Sequence, residues 1–250
     1  MRTLKLTLQY DGTAYVGWQR QESGTSIQSL LEDALAKIEG AAVSVQGSGR
    51  TDAGVHALGQ TASVALGSAI ELPILSRALN AVLPPDVRVL GIEEAEAGFH
   101  ARFSAVGKVY EYRILNAPIV SPFLQRYVWH VPQPLDIDVM REASQTLVGA
   151  HDFAAFQGSG SNVATTDRVI RAIEWQDVIT TGACDLPIVM RIEGNGFLRH
   201  MVRNIVGTMV EVGAGRWPAR RVADALASRD RSQAGPTAPA RGLFLVRVLY

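Results

Sequence analysis

Runs of alternating apolar and polar residues recur along the chain, and several follow one another with no helical pattern between them. The first covers residues 4–10, and two later runs, at 168–179 and 187–195, are neighbours in the sequence. Strands joined directly in this way pair antiparallel, because parallel strands need a long crossover between them. The order predicts an α+β fold with largely antiparallel sheets rather than alternating βαβ units.

Helical patterns separate the strand patterns. Residues 25–40 carry one apolar stripe, with Thr25 and Gln28 as a capping box and Gly40 at the end. Further helices are predicted at residues 73–83, 136–148, 197–213 and 218–228. Each half of the chain then carries strands and helices in a similar order. This predicts two α+β domains, at 1–104 and 105–250, with a deep cleft between them as the natural site.

One bent loop between two predicted strands is the most unusual part of the sequence. It reads GSGRTDAGVH, residues 47–56. Its glycines have the spacing of a phosphate-binding loop, but Val55 and His56 stand where that loop needs a lysine and a hydroxyl. The glycines are also too widely spaced for a dinucleotide fingerprint. The loop therefore needs its glycines for sharp bending or close approach, and another explanation is needed for its aspartate.

Asp52 is the best catalytic candidate, because a rigid loop between strands can aim one side chain into a cleft. A carboxylate that acts as a nucleophile or a base must be ionised, and burial opposes ionisation unless a cation or several N–H donors lie nearby. Arg50, two residues earlier, is one such cation. The alternative is that Asp52 only caps a turn through its side chain.

Tyr110 and Arg203 are the next candidates. Tyr110 lies on a predicted strand, at residues 107–115, and shares a face with Tyr112. Its ring could stack on a base, or it could serve ordinary sheet packing. Arg203 lies among apolar neighbours on a predicted helix, so a buried guanidinium there needs an anionic partner unless it faces solvent.

Three further polar residues are candidates for substrate contacts. Arg102 follows the aromatic residues Phe99 and His100 just before the predicted domain boundary. Arg20 and Gln21 close a segment that interleaves aromatic residues with glycine, and they could contact phosphates or base edges. Alternatively, Arg102 is an ordinary surface residue with no contact to a substrate.

Composition limits the function only in part. The net charge is zero, which by itself gives no support to nucleic-acid binding, but residues 191–221 carry six arginines against two glutamates. Cys184 is the only cysteine and the histidines are scattered, so neither a disulfide nor a metal site is expected. No apolar run is long enough for a membrane span and the first residues do not resemble a signal peptide, so a soluble intracellular protein is expected.

Seven segments together resemble the tRNA pseudouridine synthases of the TruA type, in the order found in that family. They are YDGTAYVGWQRQ (10–21), GRTDAGVHALGQ (49–60), FHARFSA (99–105), KVYEYRI (108–114), HDFAAF (151–156), FLRHMVRNIVGTMVEVG (197–213) and GLFLVRVLY (242–250). The second of these is highly specific, and the resemblance spans nearly the whole chain.

The resemblance implies a fold of two α+β domains whose sheets join across a central basic cleft. It further implies the isomerisation of uridines 38, 39 and 40 in the anticodon arm of tRNA, with no metal or organic cofactor, by a cytoplasmic homodimer. It implies that Asp52 is the catalytic aspartate, that Tyr110 contacts the base, and that Arg203 is the cation beside the carboxylate. Reasoning from the residues leaves two alternatives: an RNA-binding module without catalysis, and an N-glycosidase that would release free uracil.

Overall fold

The computed structural model describes residues 1–160, 163–176 and 186–250. Contacts divide the chain into two compact units, one of Met1–Val106 with Phe244–Tyr250 and the other of Gly107–Leu243. The sequence-based division places residues 244–250 in the second domain. In the structure these residues group with the first unit, and their strand pairs parallel with residues 56–57 of that unit. Cys184 and the end of the predicted strand 168–179 lie outside the described residues.

The first unit is built on a sheet in which neighbouring strands are mostly antiparallel. Its elements are β1 (Arg2–Tyr10), α1 (Ile27–Glu39), β2 (Val45–Gly47), β3 (His56–Leu66), α2 (Leu72–Val82), β4 (Val87–Glu94) and β10 (Leu243–Leu249). The strand order is β4-β1-β3-β10, with β2 also paired to β3. The β10 strand runs parallel to β3, with Phe244 opposite His56.

The two faces of β1 differ as the alternating sequence predicts. Leu4, Leu6 and Leu8 are completely buried, whereas Lys5 and Thr7 on the opposite face are half-buried. The apolar stripe of α1 and the inner residues of α2 complete the core of this unit. The second face therefore keeps polar side chains available for other contacts.

The second unit repeats the α+β plan. Its elements are β5 (Gly107–Leu115), β6 (Trp129–His130), α3 (Ile137–Gln145), β7 (Gly149–Asp152), β8 (Asp167–Gln176), β9 (Ile188–Gly194), α4 (Met201–Gly213) and α5 (Arg221–Ser228). The order β5-β9-β8-β7 is antiparallel throughout, and β6 pairs parallel with β5. The predicted α+β class with largely antiparallel sheets is confirmed. No helix in the described ranges is long and apolar enough to cross a bilayer.

Candidate active site

Asp52 begins a tight turn between β2 and β3. Its carbonyl accepts a hydrogen bond of 3.1 Å from the amide of Val55, and Gly54 at the third position of the turn has φ 76°. A positive φ at that position is the reason that this type of turn uses glycine. The Asp52 side chain is half-buried, while Thr51 and Val55 on either side of the turn are buried. The sharp bend predicted for this loop is thus present at Asp52 itself.

Two glycines from the segment after β1 press against this turn. Gly17 has φ 107°, and a Cβ at this position would lie 2.5 Å from the carbonyl oxygen of Thr51. A Cβ at Gly12 would overlap the carbonyl of Val55. The amide of Trp18 also donates to the Thr51 carbonyl at 3.0 Å. The backbone on both sides of Asp52 is therefore held by close contact with another backbone segment.

A buried hydrogen-bond network holds the side of the loop that precedes Asp52. The Gln60 amide donates to the Gly49 carbonyl at 3.1 Å and accepts from the Ser48 hydroxyl at 2.6 Å. The Tyr10 hydroxyl and the Thr51 hydroxyl lie 2.8 Å apart. Burial raises the pKa of Tyr10 to about 12, which keeps the phenol neutral. Since these buried polar groups have partners, the network fixes the loop without an unpaired group among them.

His56, just after the loop, is fixed from two sides. Its Nδ1 accepts a hydrogen bond of 3.1 Å from the Gly12 amide and lies 3.1 Å from a carboxylate oxygen of Asp11. Its ring stacks on Phe244, with centroids 4.6 Å apart and planes 20° apart. The ring is buried, so it anchors the end of the turn.

The candidates for substrate contact in the first unit differ in whether their side chains already bind other groups of the protein. Arg50 is exposed on the Asp52 loop. Arg20 pairs with Glu32 at 2.8 Å and with Asp33 at 2.7 Å, and these hydrogen bonds, the one to Asp33 first, raise its pKa. The Gln21 amide donates to a backbone carbonyl at 3.0 Å. Arg102 is exposed, with its guanidinium 5.6 Å from the centroid of a neighbouring ring.

Tyr110 lies on β5 in the second unit and is only 8% exposed. Its ring meets that of Phe197 edge to face, with centroids 5.1 Å apart and planes 81° apart. Phe197 comes from the segment that leads into α4, so the ring packing connects β5 to that segment. This is the packing that a structural role predicts, and the base-stacking role stays a prediction.

Arg203 lies on the first turn of α4 and is half-buried. Its Nε donates to the carbonyl of Ala238 at 2.7 Å, and the Ala238 amide donates to the Arg203 carbonyl at 3.1 Å. The next residue in the chain, Pro239, accepts from the Tyr112 hydroxyl at 2.7 Å. Burial raises the pKa of Tyr112, and the charges of Arg203 and Arg241 oppose that rise. Arg203 is therefore oriented by the loop that precedes β10.

Several residues that position these candidates were not singled out in the sequence. Asn204, fully buried on α4, donates to the Phe156 carbonyl at 2.8 Å and accepts from Arg231 and Thr237 at 3.1 and 2.6 Å. These bonds hold the loop that contacts Arg203. Gln60, Gly12 and Gly17 have the same role for Asp52. Their only signal in the sequence was membership of the segments that carried the family resemblance.

Each unit thus contains some of the site residues predicted from the sequence. Asp52 and Arg50 share one rigid loop in the first unit, and Tyr110 and Arg203 lie in the second. Within the described residues, no group of three or more acidic, histidine or cysteine side chains has the geometry of a metal site. What the first unit offers chemically is a half-buried carboxylate on an immobile turn, which is suited to nucleophilic or electrostatic catalysis.

Comparisons with known proteins agree with the resemblance. A family model described as tRNA pseudouridine synthase matches residues 7–104 and 143–250. The chain is 46% identical over 250 residues to tRNA pseudouridine synthase A of Myxococcus xanthus, covering 100% of this chain and 92% of that protein. It is 44% identical to the protein of the same name from Syntrophotalea carbinolica, at 100% and 97% coverage. The corresponding protein of Thermoanaerobacter sp. strain X514 is 42% identical, with 100% of both chains covered.

Proposed function

Because the chain belongs to the tRNA pseudouridine synthase family, we propose that it isomerises uridines 38, 39 and 40 of the tRNA anticodon arm to pseudouridine, with Asp52 as its nucleophile. In this reaction the bond between ribose C1′ and uracil N1 breaks, the base turns, and a bond forms between C1′ and C5. The proton on C5 is lost and N1 gains one, so the atoms balance without a co-reactant.

The observation that carries the assignment of Asp52 is its half-buried side chain on a closely packed, hydrogen-bonded backbone. Gly12, Gly17 and Gln60 hold the backbone of the loop on both sides of Asp52. Breaking a glycosidic bond builds positive charge on the sugar, and an ionised carboxylate at C1′ stabilises or captures that charge. A fixed turn supplies the carboxylate already oriented, which lowers the entropic cost of the step.

The candidates for substrate contact are assigned to binding. A base in a stacked stem is out of reach, so the target uridine has to be flipped out, and an aromatic ring such as Tyr110 recovers part of that cost by stacking. Arg50 and Arg102 are exposed cations suited to phosphate contacts. The assignment of Arg20 and Gln21 to substrate binding has less support, because both side chains already have partners within the first unit.

Two further properties belong to the proposal and rest on the family. We expect the enzyme in the cytoplasm, where its tRNA substrate is, and we expect a homodimer. Cell fractionation and sedimentation equilibrium test these directly. A protein that sediments as a monomer at micromolar concentration would contradict the dimer.

The decisive experiment compares Asp52→Asn with wild type on unmodified tRNA, without added cofactor. We expect pseudouridine formation to fall by at least about 10³-fold, because removal of a nucleophile leaves only binding and positioning. The Kd for tRNA should change by less than about threefold, since the two side chains have nearly the same shape. Asp138→Asn, an exposed carboxylate on α3, is the matched control and should behave as wild type.

Variants of Arg203 and Tyr110 in the same assay test the roles that the family resemblance implies for them. The resemblance implies that Arg203 is the cation that favours the ionised carboxylate, so Arg203→Met should raise the apparent pKa that governs the rate, while Arg199→Met, an exposed neighbour on the same segment, should not. Tyr110→Phe should keep most of the tRNA affinity that Tyr110→Ala loses. Wild-type turnover by Asp52→Asn, or free uracil in amounts equal to the modified RNA, would end the catalytic assignment.

A further inference from the structure

The turn at residues 99–104, here called the aromatic turn, has a rigid backbone. The Ser104 amide donates to the His100 carbonyl at 2.9 Å, and the His100 amide donates to the Ser104 hydroxyl at 3.1 Å. The Nδ1 of His100 accepts from the Arg102 amide at 3.1 Å. These bonds close the turn on itself without using the side chains of Arg102 and Phe103.

Buried contacts fasten the aromatic turn to the polar face of the first sheet. Ala101 is completely buried, and its amide donates to the hydroxyl of Ser63 at 3.1 Å. Its carbonyl accepts from the Tyr250 hydroxyl at 2.8 Å. Ser63 stands opposite Lys5 in the pairing of β1 with β3, so the turn covers the face that carries polar residues.

The side chains that the turn presents are aromatic and cationic. Phe103 is 77% exposed, and its ring centroid lies 4.4 Å from that of His100 and 5.6 Å from the guanidinium carbon of Arg102. Beside them, Lys5 Nζ lies 4.9 Å from the ring centroid of Tyr250 and 5.9 Å from that of Phe99. Lys5 Nζ also lies 2.8 Å from a carboxylate oxygen of Glu93, so Arg102 is the cation that the turn itself presents beside the Phe103 ring.

The hydrogen bonds that form the turn do not require an exposed aromatic ring at position 103. Scattered surface hydrophobic residues are normal, and a lone exposed Phe103 would carry no argument. Here the ring is fixed on a rigid turn, against an imidazole and beneath a guanidinium. An exposed ring with an arginine beside it is typical of surfaces that stack unpaired bases and hold their phosphates.

We propose that Phe103 is a stacking platform for an unpaired base of the substrate tRNA, and that Arg102 contacts the neighbouring phosphate. This inference rests on the proposed function, because it takes tRNA as the substrate. The aromatic turn then binds a nucleotide other than the one that reacts. His100 is a positioning residue, because its ring packs against that of Phe103.

The first test replaces the ring while keeping an apolar side chain. Phe103→Leu should raise the Kd for unmodified tRNA between about fivefold and 100-fold, and the effect should fall on Kd and KM rather than on kcat. Phe103→Trp should bind within about twofold of wild type, since an indole also stacks. Phe123→Leu is the matched control: this phenylalanine is 86% exposed, lies in the second unit, and should leave Kd unchanged.

A second test addresses the phosphate contact. A plot of the logarithm of the tRNA association constant against the logarithm of salt concentration should become less steep by about 0.7–0.9 in Arg102→Gln, as expected when one phosphate contact is lost. Arg102→Lys should keep the wild-type slope. An unchanged slope in Arg102→Gln would remove the phosphate contact.

The outcomes separate this inference from the proposed function. Wild-type protein that makes no pseudouridine contradicts the proposed function, and the binding measurements still decide the role of Phe103. Active wild-type protein with wild-type tRNA affinity in Phe103→Leu overturns the stacking platform alone. A change in sedimentation rather than in tRNA affinity would assign the aromatic turn to a protein contact instead.

Discussion

Two glycines more than 30 residues before Asp52 decide where its carboxylate lies. Gly12 and Gly17 leave room for the carbonyls of Val55 and Thr51, and a side chain at either position would displace the turn. Asp52 was identified from its own loop, because that loop is unusual by itself. Its supports could not be identified in the same way, because a contact between residues 17 and 51 depends on how β1 and β3 pair. The ion pairs of Arg20 could not be predicted either, because its own segment does not indicate that Glu32 and Asp33 of α1 lie beside it.

Gly17→Ala should therefore lower both stability and turnover. The positive φ alone costs about 1–3 kcal/mol, and contact with the Thr51 backbone adds to that cost. We expect a fall of at least about 2 kcal/mol in the free energy of unfolding, measured by urea titration, together with a loss of kcat.

Gly40→Ala separates the two effects, because Gly40 has φ 74° but nothing lies within 4 Å of the point that a Cβ would occupy. Its unfolding free energy should fall by about 1 kcal/mol while kcat stays at the wild-type value. Equal turnover in the two variants would show that close packing at Gly17 does not position Asp52.

At the level of secondary structure, most elements lie where the periodicity predicts, and the ends of helices account for most of the differences. The cap of α1 is Ser26 with Ser29, one residue beyond the predicted pair of Thr25 and Gln28. The α4 helix begins at Met201, four residues later than predicted, because His200 has φ 58° and breaks the helical run. Apolar periodicity continues through such a residue, so it gives no sign of the break. The short strands β6 and β7 carried no pattern long enough to be recognised.

The cap of α1 gives a test at this level. The Ser26 hydroxyl accepts from the Ser29 amide at 3.1 Å, so Ser26→Ala should lower the free energy of unfolding by about 1 kcal/mol. Thr25→Ala, at the exposed residue that the sequence favoured, should change it by less than about 0.5 kcal/mol. Thermal or urea unfolding of both variants measures the difference, and a larger loss in Thr25→Ala would show that the predicted cap operates in solution.

For the whole molecule, the sequence predicted the α+β class and the antiparallel sheets, because both follow from adjacent strand patterns. It did not predict that Phe244–Tyr250 belong with the first unit, since periodicity identifies a strand without its partner. Charged groups also act at this scale, because their charge states couple the folding of each unit to pH. Asp152, which is half-buried, is one such group: hydrogen bonds from Thr166 and then from the Ala154 amide, with the charge of Arg229, lower its pKa.

This lowered pKa predicts an acid-dependent stability difference. A carboxylate whose pKa is depressed by folding contributes stability above its ordinary pKa of about 3.9, and the contribution is lost as the pH falls through the folded-state value. Asp152→Asn should thus reduce the free energy of unfolding by about 1 kcal/mol at pH 7, with the gap to wild type closing toward pH 3. Urea titrations at several pH values measure this gap, with Asp138→Asn as the exposed control. A gap that stays constant with pH would assign the effect of the variant to packing.

The pairing of β10 with β3 has a consequence for how the enzyme is made. The ring that stacks on His56 belongs to Phe244, and a ribosome adds this residue only after the whole of Gly107–Leu243 has been synthesised. At translation rates of about 5–20 residues per second, the nascent first unit waits on the order of ten seconds for its final strand. The first unit is thus completed late in translation, and a truncated product lacking that strand would leave the exit tunnel without the ring that stacks on His56.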